Sequence, residues 1–239
     1  MNDQWAMRFC GWAGIAGAAM LLASDWLMLG TFTDARGFED NWLTILAEMP
    51  KWRVISGAIA GPLGAWLYIV GFWQLYLALR PAGMRLAFVC WAGFSIGFIY
   101  VAGAFHASFP FMAHAAQLMD TVQSSSPESA TVLAQQTINY AGMLFLASML
   151  PSLVGCLALA YAVLILPTRY PRWTVAFNPL VLFVFTLCFR FVPAPLGGLL
   201  QIGYGNILFL IFFTASTAVL WQGGQVHGHD EAVNNLGSS

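Results

Sequence analysis

The sequence predicts an all-α fold, a polytopic membrane bundle of six transmembrane helices that forms a single domain over residues 1–222. Hydrophobic residues make up 59% of the 239 residues and charged residues only 8%, whereas soluble domains carry roughly a quarter charged residues. The few charges cluster between uncharged apolar stretches, and these exceed the about 18 residues that a helix needs to cross a hydrocarbon core. The outer surface of such a bundle is expected to face lipid.

Six apolar stretches of helical length are bounded by charged residues or by proline, which are typical ends of a spanning helix. These predicted spans cover roughly residues 9–32, 54–79, 86–106, 139–166, 174–192 and 196–221. Gly57 and Gly61 in the second span, and Gly93 and Gly97 in the third, place small residues on one helix face. Such faces predict close helix packing, either inside the bundle or between two copies in a homo-oligomer.

The arginine positions in the short loops predict the orientation of the bundle. Arg80 and Arg85 separate the second span from the third, and Arg169 and Arg172 separate the fourth from the fifth. Because short cytoplasmic loops are enriched in Lys and Arg, both loops are expected inside the cell, together with the N- and C-termini. The predicted location is therefore the cell inner (cytoplasmic) membrane, with a multi-pass topology.

Two longer connections are expected on the outer side of the membrane. In the first, residues 33–53, Asp40 is the predicted N-cap of a short amphipathic helix that lies at the membrane interface. Lys51 and Arg53 in the same connection are positive charges that the predicted orientation does not explain.

The second outer connection contains the helix-start pattern Ser126-Pro127-Glu128, which predicts that the fourth helix begins before it enters the membrane. Residues 107–119 carry no Asp, Glu, Lys or Arg but contain Pro110, so they are interpreted as an interfacial or re-entrant segment. The polar segment 223–239 is predicted to be a disordered cytoplasmic tail.

Charged side chains inside a span are costly and tend to face the bundle interior. Asp25 in the first span and Arg190 in the fifth are the two charges that need such an explanation. In the predicted orientation they share the outer half of the membrane with polar residues of three further spans: Tyr100, His106, Asn139, Tyr140, Gln201, Tyr204 and Asn206. Few polar groups fall in the inner half, so the outer layer is the candidate site.

Two interpretations of this layer stay open. In one, Asp25 and Arg190 form a compensating ion pair and His106 is an interfacial residue. In the other, the layer lines an outward-facing pocket in which Asp25 and His106 are the catalytic acid–base residues. Arg190 would then hold an anionic group, and the other substrate-binding residues would be Tyr100, Asn139, Tyr140, Tyr204 and Asn206.

No metal site and no cofactor is predicted. The four cysteines, Cys10, Cys90, Cys156 and Cys188, lack the paired short spacing of a zinc site or a disulfide framework. The single lysine lies in a loop, which excludes a Schiff-base lysine inside the membrane. With a net charge of -1 and no dense Lys/Arg tract, the chain is not expected to bind nucleic acid.

Three runs in the first half of the chain form one pattern: Ser24-Asp25-Trp26-Leu27, Trp52-Arg53-Val54-Ile55-Ser56-Gly57, and Ala65-Trp66-Leu67-Tyr68 continuing to Gln74. His106, which follows Gly103, fits the same pattern. This pattern resembles an uncharacterised bacterial family of multi-pass membrane proteins. The resemblance implies a multi-pass fold and no established activity. In general plan the chain is also similar to small membrane-bound terpene cyclases, which are compact bundles with acidic residues and an aromatic interior, although no diagnostic motif is shared.

These observations favour an integral membrane protein that binds a lipid-like or isoprenoid-like small molecule in an outer-leaflet pocket. An acid–base enzyme acting on that molecule, such as a cyclase, isomerase or hydrolase, is one form of this hypothesis, and enzyme activity is left open. The alternatives are a proton-coupled transporter or channel component with Asp25 as the carrier, and a non-catalytic membrane assembly subunit. The expected partners are membrane lipids and the lipid-like ligand.

Overall fold

The computed structural model describes the backbone of residues 3–123 and 126–236, and the side chains of these residues except 120, 121, 123 and 222–236. The described residues are helical and form no strands, which confirms the all-α fold class. Their α-helices are α1 (Asp3–Leu29), α2 (Ala35–Glu48), α3 (Lys51–Leu79), α4 (Met84–Phe98), α5 (His106–Gln123), α6 (Pro127–Ile165), α7 (Pro179–Thr186) and α8 (Gly197–Leu236). Short 3₁₀ turns cover Arg80–Ala82, Arg172–Phe177 and Leu187–Phe191, and a π-helical segment, Ile99–Phe105, joins α4 to α5.

Within the described residues, five helical stretches are long and apolar enough to cross a membrane. They are Asp3–Leu29, Lys51–Ala82, Met84–Met119, Pro127–Ile165 and Gly197–Trp221. Each of them overlaps one of the predicted spans. The chain therefore has the helical content of a membrane protein, with five long apolar helices rather than six.

The predicted fifth span, residues 174–192, is not one regular helix. It contains α7 between two 3₁₀ turns, and its apolar helical part, Pro179–Phe191, is shorter than the five long stretches. The Asn178 side chain accepts a hydrogen bond from the Leu180 amide at 2.9 Å and so caps a new helix in the middle of the segment. Pro193 follows the last turn and prevents the helix from continuing.

The centre of the bundle is formed by α1, which lies along α3 and also packs against α8. Gly14 of α1 allows this close approach, because it lies against Gly71 of α3 on one side and the Phe213 ring of α8 on the other. α4 packs against α3, and α6 packs against α4. The largest fully buried side chains of the core are aromatic: Tyr68, Phe72, Phe94 and Phe213.

Both predicted glycine faces pack inside this chain. Gly57 lies against α1, and Gly61 lies against His106 at the start of α5. Gly93 and Gly97 lie against α6. A side chain at any of the four positions would overlap the neighbouring helix, so the small residues serve the packing of the bundle itself.

The segment 107–119 belongs to a continuous helix, and the prediction of a re-entrant or interfacial break there is wrong. α4, the π-helical segment and α5 follow one another without interruption, and Pro110 lies inside α5. The Ser108 hydroxyl donates to the Phe105 carbonyl at 2.6 Å, one turn before the proline. Hydroxyl side chains of this kind satisfy backbone groups near prolines in membrane helices, which lets the helix continue.

α2 begins earlier than predicted, and its N-cap is Asp34 rather than Asp40. The Asp34 carboxylate accepts a hydrogen bond from the Gly37 amide at 2.8 Å, as an N-cap residue does. Asp40 lies inside the helix, one residue before a kink at Asn41. The sequence pattern identified the helix but not the aspartate that starts it.

Arg53 accounts for one of the two positive charges that the predicted orientation left unexplained. Its guanidinium donates to the carbonyls of Trp26, Leu27 and Gly30 at 2.7, 3.0 and 3.2 Å. The last carbonyls of a helix have no partner within that helix. Arg53 therefore caps the C-terminus of α1, where a positive charge also complements the helix dipole.

α6 begins at Pro127, in agreement with the helix-start pattern at 126–128. The single domain over 1–222 and the disordered tail over 223–239 stay predictions. Residues 237–239 of that tail lie outside the described part of the chain.

Candidate functional site

The Asp25 side chain, near the C-terminal end of α1, is buried and bonded through both carboxylate oxygens. Nε2 of His106 lies 2.9 Å from Oδ1, and Nδ2 of Asn206 donates to Oδ2 at 2.7 Å. Asp25 is only 7% exposed, and a buried carboxylate is tolerated when it is paired and hydrogen-bonded in this way. Helices α1, α5 and α8 thus meet at one acidic group.

Small residues of α3 position both members of the Asp25–His106 pair. The Ser24 hydroxyl donates to the Gly57 carbonyl at 2.7 Å, which ties the end of α1 to α3. Four residues later in α3, Gly61 lies directly against His106. Because residues four apart share one face of a helix, α3 holds the aspartate and the histidine side by side.

The hydrogen bonds of His106 determine where its protons are. Nδ1 lies 2.7 Å from the Val101 carbonyl, and a carbonyl oxygen only accepts, so Nδ1 carries a hydrogen. Nε2 then either donates to an ionised Asp25 or accepts from a protonated one. The pair is net neutral in both forms, and it holds one proton that the two side chains share.

The π-helical segment supplies the acceptor for His106. Its wide turns bring the Val101 carbonyl within reach of both the backbone amide and the Nδ1 atom of His106. In a regular α-helix the amide would bond the carbonyl four residues earlier instead of five. Single π turns inside α-helices occur often at functional sites, and here the turn sets the orientation of the histidine ring.

Tyr68 extends the network into the centre of the bundle. Its hydroxyl donates to Oδ1 of Asn206 at 3.0 Å, and its side chain is fully buried. Because Oδ1 of Asn206 accepts from Tyr68, the amide nitrogen is the atom that faces Asp25. Sequence reasoning placed Asp25, His106 and Asn206 in one layer but missed Tyr68, whose only signal was its place in the Ala65–Tyr68 run of the family pattern.

A cavity of about 290 Å³ lies beside this network, between the α4–α5 helix, α6, α7 and α8. His106 and Asn206 are on its wall, whereas Asp25 and Tyr68 lie behind them. The rest of the lining is mainly aliphatic and aromatic, and includes Leu21, Phe98, Phe145, Leu153, Leu180 and Phe209. The hydroxyl residues Ser148, Ser152 and Tyr204 also line it. An apolar chamber with a few polar side chains has the composition of a small-molecule site.

The cavity reaches the outer face of the bundle between α6 and α7. Leu150 and Leu153 of α6 line it and are 65% and 42% exposed. Leu180 and Phe183 of α7 do the same on the opposite rim, at 42% and 38% exposure. The opening is therefore rimmed by exposed apolar side chains of both helices.

A family model matches residues 1–222, which covers the cavity, the buried network and all the long helices. The chain belongs to DUF6796, a family of unknown function. The match confirms the expectation of an uncharacterised family and extends it beyond the first half of the chain. No curated protein and no solved structure matches the chain. Membership in this family assigns no activity to the chain.

Arg190 is not the partner of Asp25, and the ion-pair interpretation of those two residues is wrong. Nη2 of Arg190 lies 3.0 Å from Oε2 of Glu39 in α2, and Nε2 of Gln201 donates to Oε1 of the same carboxylate at 2.8 Å. Glu39 lies in the first connection, 33–53, and nothing in the sequence indicates its contact with Arg190 and Gln201. Asp25 is held by neutral and histidine side chains instead.

Besides Arg190, three predicted substrate-binding residues lie away from the cavity. Tyr100 and Tyr140 are 41% and 48% exposed, and Asn139 is an exposed residue that accepts from Gln135 Nε2 at 2.8 Å. Their depth along the helices was predicted, but the face on which each one points was not. Tyr204 and Asn206, by contrast, line the cavity.

A second buried polar cluster lies further along α3 and α8. Gln74 donates to the Met7 carbonyl at 3.1 Å and accepts from the Ser216 hydroxyl at 2.9 Å. The Tyr170 hydroxyl is buried and lies 2.7 Å from the Ser216 hydroxyl. These hydrogen bonds join α1, α3, α8 and the segment of Tyr170 at the end of the bundle opposite to Asp25.

Phenylalanine rings separate the two clusters. Along α3, Phe72 lies between Tyr68 and Gln74, and along α8, Phe209 and Phe213 lie between Asn206 and Ser216: these rings contact one another with centroids 5.3 to 6.5 Å apart. Rings of this kind offer no hydrogen-bond donors or acceptors to a proton or ion. Among the described residues, the two clusters are therefore not joined by a polar path.

The described residues contain no group of three or more His, Cys, Asp or Glu side chains placed to hold a metal ion. Asp25 and His106 supply two groups of ligand type, but each is already hydrogen-bonded to the other. The chemistry of the site rests on this proton-sharing pair and on the cavity next to it.

Proposed function

We propose that the protein binds a lipid-like or isoprenoid-like molecule in the cavity beside His106 and Asn206. The observation that carries the proposal is an apolar chamber with two hydrogen-bonding side chains on one wall. Apolar linings of this kind bind the body of a ligand, and a few polar groups fix its orientation. The volume of about 290 Å³ is at the lower end of the roughly 300–1,000 Å³ that is usual for ligand sites.

The opening between α6 and α7 supports a ligand that arrives through the bilayer. Its rim consists of exposed aliphatic and aromatic side chains, among them Leu150 and Phe183. A molecule that already dissolves in lipid enters such a cavity without crossing water, and a charged metabolite has no comparable route.

The orientation is proposed from the end of the bundle at which the predicted cytoplasmic loops lie. Arg80 and Arg169 both contact the Asp3 carboxylate, at 3.5 and 3.2 Å. With positive loops inside the cell, this end is cytoplasmic and the Asp25 end of α1 is extracytoplasmic. We propose the cell inner (cytoplasmic) membrane as its location on this basis, with the cavity in the outer leaflet and α2 at the interface.

Residues 166–196 are proposed to form a sixth crossing that is not one regular helix. Near its start the Arg169 amide donates to the Ala78 carbonyl at 3.0 Å, and just after its end the Gly198 amide donates to the Thr33 carbonyl at 2.8 Å. These two contacts lie at opposite ends of the bundle. Two 3₁₀ turns and α7 together extend roughly 30 Å at 2.0 and 1.5 Å per residue, which matches a hydrocarbon core.

We further propose that the protein catalyses an acid–base reaction on the bound molecule. This reaction requires His106 to exchange one of its hydrogen bonds. Both ring nitrogens are engaged, one by Asp25 and one by the Val101 carbonyl. A ligand group that displaces the Val101 carbonyl would take the proton of Nδ1, while the shared proton stays on Nε2 and the Asp25 carboxylate holds the ring and balances its charge. In this scheme His106 is the acid–base group and Asp25 positions it.

The transporter and assembly-subunit hypotheses receive less support. A proton carrier at Asp25 needs polar groups that lead to both faces of the membrane, whereas phenylalanine rings occupy the space between the two buried clusters. The glycine faces that suggested a homo-oligomer, at Gly57/Gly61 and Gly93/Gly97, are covered by helices of the same chain.

A cavity-filling variant tests the proposed function. Gly205 of α8 lines the cavity and faces open space, so Gly205→Leu adds a side chain there without a clash. Gly142 of α6 is also open and lies outside the cavity, which makes Gly142→Leu the matched control. The probe is a diazirine-bearing isoprenoid alcohol added to the protein in lipid nanodiscs, with crosslinked peptides identified by mass spectrometry.

In the unmodified protein, the crosslinks are expected on the parts of α6 and α8 that line the cavity. Gly205→Leu is expected to lower this labelling about tenfold, the effect of losing roughly 1.4 kcal/mol of binding free energy. Gly142→Leu should retain it. Equal labelling in the two variants, or crosslinks spread evenly over the outer surface, would show that the probe reports lipid contact and not cavity binding.

A further inference from the structure

A second cavity, of about 150 Å³, lies directly beside the first, and the two have a wall in common. Phe183 of α7 and Tyr204 of α8 line both cavities, and the centroids of their rings are 6.0 Å apart. The side of this wall away from His106 is polar, with Glu39, Arg190 and Gln201 among its lining residues. An apolar chamber and a polar chamber thus lie on either side of one aromatic pair.

The polar cavity contains one negative and one positive side chain that neutralise each other. Glu39 uses both oxygens, one for Arg190 at 3.0 Å and one for Gln201 at 2.8 Å. A carboxylate or phosphate that binds Arg190 would lie close to the Glu39 charge, and an ammonium group that binds Glu39 would lie close to Arg190. Either charged group therefore meets repulsion as well as attraction, and the cavity has no net charge with which to select it.

The groups that stay available in this cavity suit an uncharged hydroxyl. The Tyr204 hydroxyl has no hydrogen-bond partner among the described residues, and Arg190 is 62% exposed with further N–H groups to donate. Glu39 and the Gln201 carbonyl oxygen can accept. A hydroxyl donates one hydrogen bond and accepts others, so it matches a site that presents donors and acceptors side by side.

We propose that the ligand is an amphipathic alcohol with a single apolar chain or isoprenoid unit. Its chain occupies the cavity beside His106, and its hydroxyl binds at the Glu39–Arg190 pair. This placement requires the Phe183 and Tyr204 rings of the common wall to move apart. This inference rests on the proposed function and names the class of ligand. The larger cavity, about 290 Å³, is too small for both chains of a phospholipid, because drug-sized ligands alone fill about 300–1,000 Å³.

The test compares one isoprenoid chain with four different ends: a hydroxyl, a carboxylate, an ammonium group or a hydrogen. Each unlabelled compound competes with the diazirine-bearing alcohol for crosslinking to the cavity in nanodiscs. The alcohol is expected to compete best in the unmodified protein, by about threefold or more over each of the others, the size of effect that partly exposed polar contacts produce.

Charge variants of the polar cavity supply a second readout. Glu39→Gln leaves Arg190 without a neutralising partner, so the carboxylate compound is expected to gain about threefold or more relative to the alcohol. Arg190→Gln leaves Glu39 in excess and is expected to favour the ammonium compound in the same way. Arg172→Gln, an exposed arginine on the loop at the other end of the bundle, is the control and should leave the ranking unchanged.

The outcomes separate the assignment of an uncharged head group from the proposal that the cavity binds a ligand. Stronger competition by the carboxylate or the ammonium compound in the unmodified protein overturns the assignment of an uncharged head group. Equal competition by the compound that ends in hydrogen, or an unchanged ranking in Glu39→Gln, removes the polar cavity from the binding site but leaves cavity binding intact. If no compound competes and the cavity is never labelled, the proposed function fails together with this inference.

Discussion

Nε2 of His106 lies 2.9 Å from Oδ1 of Asp25 while Nδ1 of the same ring is bonded to the Val101 carbonyl at 2.7 Å. This double engagement fixes how many protons the pair holds and leaves open on which side chain the shared one resides. The hydrogen bonds that Asp25 makes and the charge that it can carry are therefore two properties that can be tested separately. A substitution that keeps the shape and removes the charge distinguishes them.

Asp25→Asn is expected to fold with nearly unchanged stability. The new amide can donate to Nε2 of His106, and its oxygen can accept from Asn206, so both contacts of the carboxylate survive. Asp25→Ala leaves both partners unpaired and is expected to lower the free energy of unfolding by about 1–3 kcal/mol. Thermal unfolding in detergent measures both. If Asn is as damaging as Ala, the charge of Asp25 and not its shape holds the helices together.

Tyr68→Phe tests the link between the core and the acidic network. The substitution removes the hydroxyl that donates to Asn206 and keeps the buried ring, so a loss of about 1 kcal/mol is expected from the missing hydrogen bond. Tyr100→Phe removes an exposed hydroxyl and is the control. Equal and negligible shifts of the unfolding midpoint in the two variants would mean that the Tyr68 bond contributes nothing to stability.

Gly61→Ala probes the contact that positions the histidine. A methyl group at Gly61 would overlap His106 and the Ala102 carbonyl, and overpacking of this kind costs about 1–3 kcal/mol. Gly142→Ala adds the same methyl group in open space on α6 and is expected to be neutral or to stabilise by up to about 1 kcal/mol. Similar unfolding midpoints for the two variants would contradict the tight packing of α3 against His106.

Much of the site was predictable from depth, because the cost of a charge in lipid makes Asp25 stand out in its span. Once the orientation is assumed, counting residues along the helices places His106 and Asn206 at a similar level. Tyr68 could not be predicted in this way, since a tyrosine in an aromatic-rich helix gives no sign of whether its hydroxyl has a partner.

The rotation of each helix was the property that the sequence left undetermined. Tyr100 and Tyr140 share the predicted depth but face outward, because a helix that is apolar on all sides has no polar face to orient it. The pairing of Arg190 depended on α2, which brings Glu39 over the end of the bundle. The sequence around either residue does not indicate a contact between segments that are so far apart in the chain.

Arg53→Gln tests the cap that fixes the end of α1 close to Asp25. The guanidinium bonds two terminal carbonyls of α1 and the carbonyl of Gly30, which follows it. Hydrogen bonds from a charged donor contribute about 1.5–3 kcal/mol, so a loss of that size in the free energy of unfolding is expected. Arg53→Lys should be intermediate, because an ammonium group cannot reproduce the planar fork of donors.

Lys51→Gln, two residues earlier and exposed, is the matched control for the loss of a positive charge. It is expected to leave the unfolding midpoint unchanged, since the exposed Lys51 side chain forms no hydrogen bond or ion pair with the end of α1 among the described residues. Hydrogen exchange of the α1 amides gives the local readout: faster exchange around residues 22–26 is expected in Arg53→Gln only. Equal effects of the Arg53 and Lys51 substitutions would point to general electrostatics at this membrane face, and the specific cap on α1 would have to be abandoned.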